Sequence, residues 1–126
     1  MKSAFDLDNT IDANPAEFQS LMSALQAAGH TVIVLTGTGD DTATQQEWQE
    51  KANYLTSLGC GSCWDQLVIM AHPASGPDLA DLKAKWLMDN GVELFADSTM
   101  ENAKAANKAG VPLVLVPQGS KIKDKS

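Results

Sequence analysis

The chain alternates short apolar runs with longer amphipathic stretches, and that alternation predicts nearly every element. Lys2 to Leu7 reads as a short first strand. Asn14-Pro15-Ala16-Glu17 then has the form of a helix start, with Asn as cap, Pro at the first helical position and Glu three residues after the cap. Phe18, Leu21, Met22 and Leu25 follow at helical spacing until Gly29 ends the helix. Thr31-Val-Ile-Val-Leu-Thr36 is an unbroken β-branched and apolar run, the pattern of a parallel strand covered on both faces. After a loop over 37–41, Thr42 to Gln45 predicts a second capping box. Trp48, Ala52, Leu55 and Leu58 form the stripe of that helix, which Gly59 closes.

Gln66 to Met70 reads as a third strand, and His72 to Gly76 as loop, with Pro73 and Pro77 as punctuation. A helix is expected from Pro77 to Asn90, a strand from Val92 to Ala96, a helix from Thr99 to Ala109 and a last strand from Pro112 to Val116. Five strands alternating with four helices predict an α/β fold, a three-layer doubly wound parallel five-stranded sheet. Residues 1–117 make one domain, and 118–126 are a polar tail expected to be loose.

Charge narrows the function classes. The formal net charge is −7, all nine basic residues are Lys, and three of them lie in the tail. A nucleic-acid binder needs a basic patch, usually with Arg to grip phosphates, so strong binding to a long polyanion is not expected. No apolar run is long enough to span a membrane, and the N-terminus enters a strand without a leader-like segment, which points to the cytoplasm.

Cys60-Gly61-Ser62-Cys63 admits a redox dithiol, half a zinc site, or a structural pair. Zinc needs further ligands, and the only histidines are His30 and His72. The pair also follows a helix and precedes a strand, the reverse of the thioredoxin arrangement, which favours a structural role.

The candidate chemistry begins at Asp6-Leu7-Asp8-Asn9-Thr10. Two carboxylates at a strand end face the carboxyl edge of an open sheet, where such folds bind ligands. They repel unless a cation or proton sits between them, and Mg²⁺ takes oxygen ligands of this kind. A plain turn uses the same residue types.

Further on stand Val34-Leu35-Thr36-Gly37, then a lysine, then Leu94-Phe95-Ala96-Asp97-Ser98. In that order these motifs resemble the haloacid dehalogenase (HAD) superfamily of Asp-nucleophile phosphatases, over nearly the whole chain. The resemblance implies strand order 5-4-1-2-3 and a phosphohydrolase acting on a phosphate monoester, nucleotidase-like, through an aspartyl phosphate. Asp6 would be the nucleophile and Asp8 the acid and base. Mg²⁺ would bridge Asp6, the Asp8 carbonyl and Asp97. Thr36, with the backbone N–H groups near Gly37, would hold a phosphoryl oxygen.

For the lysine, helix geometry separates two candidates. Lys83 falls in the stripe of Leu79, Leu82 and Trp86, whereas Lys85 shares the polar face with Asp81, four residues before it. Lys83 is therefore assigned to the site and Lys85 to the solvated surface.

Glu101 stands where many HAD members carry a second acid and would orient metal-bound water. Ser98 and Glu101 equally make a capping box. Only about six residues separate Asp8 from the first helix, so no cap domain is expected and the site is open. An open site suits a large phosphate ester, or a small one if a second subunit covers the edge. A catalytically weak or inactive phosphate-binding or scaffold domain of the same fold is the alternative, and a phosphotransferase the third possibility.

Overall fold

The computed structural model describes residues 1–38, 43–72, 76 and 78–117. The tail 118–126 lies outside the described residues, as do the expected cap Thr42, most of the loop expected over 37–41, Pro73 and Pro77. Five strands form one parallel sheet: β1 (Lys2–Phe5), β2 (Thr31–Thr38), β3 (Gln66–Ala71), β4 (Leu94–Ala96) and β5 (Leu113–Leu115). Four helices cover it: α1 (Pro15–Ala27), α2 (Gln45–Ser57), α3 (Leu79–Asp89) and α4 (Met100–Ala109). The sheet order is β3-β2-β1-β4-β5, which is 5-4-1-2-3 counted from the other edge. The chain crosses over β1 between β3 and β4, so the strand order reverses beside β1.

Strand alternation sorts the core into two halves. Phe5, Val32 and Val34 pack with Phe18, Met22 and Leu55, on the α1/α2 side. Ala4, Ile33, Leu35 and Phe95 pack with Leu87 and Ala106, on the α3/α4 side. Both faces of β2 are covered, which is why its sequence is apolar without alternation.

Several boundaries differ from expectation for local reasons. β2 runs on to Thr38, because Gly37 and Thr38 pair with Met70 and Ala71 of β3. A Cβ at position 37 would lie 2.8 Å from Leu79 Cδ2, so Gly37 is where α3 presses against the strand. The box at the start of α2 is built by Thr44 and Glu47. Thr44 Oγ1 accepts from Glu47 N–H at 3.1 Å, and the Glu47 carboxylate accepts from Thr44 N–H at 3.3 Å. At the start of α1 the Asn14 side chain makes no capping bond, so the expected Asn14–Glu17 box is absent. β4 begins at Leu94, because Val92 N–H is taken by Leu87 O at 2.9 Å as the chain leaves α3. No helix of the described residues is long and apolar enough to cross a membrane.

Candidate functional site at the carboxyl edge of the sheet

β1 stops at Phe5, and Asp6 is the first residue beyond it, its N–H bonded to Ala96 O of β4 at 2.9 Å. The next residues form one wide turn. Ile11 N–H bonds to Asp6 O at 3.3 Å, and Asp12 N–H to Leu7 O at 3.2 Å. Asn9 sits at φ 62° inside it, a left-handed conformation that Asn tolerates through its short polar side chain. Leu7 and Ile11 anchor the turn in the core.

By alternation Asp6 continues the face of Ala4, and Asp97 that of Phe95; both faces meet α3 and α4. Lys83, on the buried stripe of α3 with Ala84 and Leu87, reaches both. Its Nζ donates to Asp6 Oδ1 at 2.8 Å and to Asp97 Oδ2 at 3.0 Å. It also lies 5.9 Å from the centre of the Phe95 ring. The other carboxylate oxygens are engaged as well. Thr10 Oγ1 donates to Asp6 Oδ2 at 3.0 Å. Thr99 N–H donates to Asp97 Oδ1 at 2.8 Å, and Asn102 Nδ2 to Asp97 Oδ2 at 2.9 Å. Ser98 closes the cluster, its N–H on Thr10 Oγ1 at 3.0 Å and its own Oγ 3.1 Å from that oxygen.

Lys83 is 1% exposed, Asp97 0% and Asp6 6%. Two carboxylates thus share one ammonium in a dry environment, and the triad carries one excess negative charge. Burial pushes the Asp6 carboxyl up to about 6; Lys83 beside it pulls the other way, and the Asp97 charge adds to the rise. Burial alone would lower the Lys83 ammonium, but Asp6 and Asp97 outweigh it and hold it above its ordinary value.

The residues singled out from sequence therefore separate. Asp6, Lys83 and Asp97 come together. Asp8 does not join them: its side chain turns outward to Lys51 of α2 at 3.4 Å, a half-exposed and loose pair. The two acids of Asp6-Leu7-Asp8 do not share a face, because the strand ends before the first of them. Thr36 is buried on β2, where alternation puts it with Val32 and Val34 on the α1/α2 side, opposite Asp6. Gly37 belongs to the strand rather than to a loop. Glu101 is exposed in the first turn of α4, whose cap position falls at Thr99 with no side-chain capping bond, so the box with Ser98 is absent. The Ser98 N–H, which the Glu101 carboxylate would take in such a box, goes to Thr10 Oγ1 instead. Lys85 is on the surface as expected, but its partner at helical spacing is Asp89, at 2.7 Å, rather than Asp81.

The sequence does not mark Thr10, Ser98 or Asn102 as members of the site. Asn102 had a signal: it lies on the α4 stripe with Ala103 and Ala106, a polar residue where apolar ones are required. Thr10 and Ser98 had none beyond their closeness to the two acids in sequence.

Mg²⁺ held by Asp6, Asp8 and Asp97 is not a fit for these side chains. The Lys83 ammonium stands between the first and third, where the ion would have to bridge them, and no group of three His, Cys, Asp or Glu among the described residues could hold a metal ion.

No family model and no curated protein matches the chain. Among solved structures it is similar to a universal stress protein in complex with cAMP, with TM-score 0.56 and 11% identity over 95% of this chain and 98% of that one. It is also similar to a universal stress protein from Archaeoglobus fulgidus, with TM-score 0.57 and 12% identity over 93% of each chain. At such identity the likeness carries the fold alone. It overturns the resemblance to the HAD superfamily, since the matching structures are universal stress proteins and not phosphatases. The assignment as a Mg²⁺-dependent phosphohydrolase is corrected accordingly. What the chain shares with its structural neighbours is a three-layer α/β architecture around a five-stranded parallel sheet.

Proposed function

We propose that the chain is a binding module for a small phosphorylated metabolite of the nucleotide class, seated at the carboxyl edge where β1 and β4 part. The carrying observation is the concentration of buried polar groups there. Of the eight buried polar residues among the described ones, six (Asp6, Thr10, Lys83, Asp97, Ser98 and Asn102) form this one cluster. Apolar packing of the same volume is often as stable as a buried ion pair or more so, so a purely structural role gives little reason for such a cluster. The crevice outside the carboxyl ends, at the reversal of strand order, is where open α/β sheets take ligands.

The charge favours one kind of contact. With two carboxylates to one ammonium, the mouth at Asp6 is rich in acceptors. It suits the hydroxyl groups of a ribose, which donate to a carboxylate in other sheets of this class. Lys51, 27% exposed and loosely paired with Asp8, is the described cation at the outer rim and suits a phosphate. The neighbour solved with cAMP supports a ligand of this class.

The test is a thermal-shift and calorimetric panel of AMP, ATP, cAMP and ribose 5-phosphate, each with and without Mg²⁺. Binding to the native state raises the melting temperature by mass action. A saturable rise with nucleotides is expected, weakened in Asp6→Asn. No rise with any of the four ligands would sink the proposal.

A further inference from the structure

On the other side of the same edge lies a cleft of about 270 Å³ lined by Asn14, Glu17, Phe18, Leu21, Leu115 and Pro117. It sits just below the usual range for drug-sized ligands, so it has room for a single ring system and little more. Its walls are apolar. Phe18 is held edge-on against Phe5, with centroids 5.9 Å apart and planes at 77°, so that wall is rigid. Leu21 and Leu115 are 36% and 41% exposed, apolar surface that water covers at a cost.

Its rim is polar on one side only. The Asn14 carboxamide makes no capping bond at the start of α1. Glu17 is exposed one helical turn on, and forms no ion pair among the described residues. A carboxylate accepts hydrogen bonds and donates none, whereas a carboxamide does both. The cleft also joins the polar cluster through backbone: Leu115 O accepts Asp97 N–H at 3.1 Å, and Asn14 N–H bonds to Ile11 O in the turn that follows Asp6.

We propose that this cleft is the ring subsite of the ligand, taking a planar nitrogen heterocycle that presents an N–H donor edge, of the aminopurine type, to Glu17 and Asn14. The inference rests on the nucleotide reading above and adds the residues that choose the base. The ring lies between Phe18, Leu21 and Leu115, and the sugar reaches over the sheet edge toward Asp6. Glu17 is then the specificity residue, because a ring without a donor leaves its carboxylate facing the ring unpaired.

The experiment is calorimetry on the full chain with adenosine, with purine riboside, which lacks the 6-amino group, and with AMP. A hydrogen bond to a charged group makes adenosine bind about tenfold or more tightly than purine riboside. Glu17→Gln, whose neutral amide oxygen accepts more weakly than a carboxylate, narrows that preference severalfold, and Leu115→Glu, on an exposed strand position, weakens both nucleosides together. Equal affinity of the two nucleosides for the native protein overturns the proposal, as does a preference undiminished in Glu17→Gln. A gain in adenosine affinity on Ile122→Asp would mean that the chain's own tail fills the cleft, and would overturn it too. If AMP binds but neither Glu17→Gln nor Leu115→Glu alters it, the cleft assignment falls and the nucleotide reading stands. If adenosine shows the expected preference, but AMP binds no better and Asp6→Asn changes nothing, the cleft stands and the reading of the edge falls.

Discussion

The two faces of the sheet are built on opposite terms. Under α1 and α2 the buried residues near the sheet are almost entirely apolar, and Cys60 and Cys63 join that core as small hydrophobic groups. Burial, with the bond to Cys60 next, pushes the Cys63 thiol up to about 12, which disfavours a reactive thiolate at that position. Under α3 and α4 an equally closed layer holds Asp6, Lys83 and Asp97. Apolar burial is non-directional and tolerates small rearrangement. A buried triad of charges stands only while each carboxylate keeps its donors. The core of the first face is held by apolar packing, and the second keeps a costly arrangement beside the reversal of strand order.

The comparison breaks most sharply at Lys83. Lys83→Met leaves two buried carboxylates facing one another without a cation. It should cost about 3–5 kcal/mol of stability at pH 7, and less at pH 5 where one carboxyl takes up a proton. Urea melts at the two pH values read this directly, and a loss under 1 kcal/mol at pH 7 would show that the triad is not as dry as its geometry.

On the apolar face the matching change is Leu55→Ala, which removes a fully buried side chain from the α2 layer. Its cost should be about 3 kcal/mol and the same at both pH values, because no titrating group is involved. Ligand binding in the stable fraction should be unchanged.

Asp6→Asn sharpens the contrast through its sign. The folded carboxyl is raised from 3.8 to about 6, so its contribution to stability is fully present below pH 4 and is lost as pH rises through 6. Wild type should therefore lose stability relative to Asp6→Asn between pH 4 and pH 7, by on the order of 3 kcal/mol. Lys83, raised from an already high value, stays charged throughout that window and does not confuse the slope. Parallel curves for the two proteins from pH 4 to 7 would refute the assignment.

The smallest effect belongs to the neighbouring lysine. Lys85 and Asp89 are 74% and 59% exposed, so Lys85→Ala should change stability by no more than a few tenths of a kcal/mol, within reach of paired chemical melts. Two residues, about half a turn of helix, thus separate the lysine that matters most from one that hardly matters.

That pair of lysines also shows how far sequence alone reaches. The apolar run of β2, the stripes of the four helices and their terminal glycines are local properties, so they determine the five strands, the four helices and the doubly wound class. The stripe that carries Leu82 and Trp86 likewise turns Lys83 inward and Lys85 outward, because helical period is a property of the chain itself. The fate of each acid was decided elsewhere. Asp6 and Asp8 look equivalent two residues apart, yet one faces the Lys83 ammonium from a distant helix and the other faces Lys51 in water. Thr10 and Ser98 meet across the cluster only because β1 and β4 lie side by side. Spacing along a chain shows which groups can share a face of one element. Which charge meets which, and whether an ammonium or a metal ion stands between two carboxylates, depends on contacts between elements 14 to 88 residues apart, and only the tertiary structure supplies those.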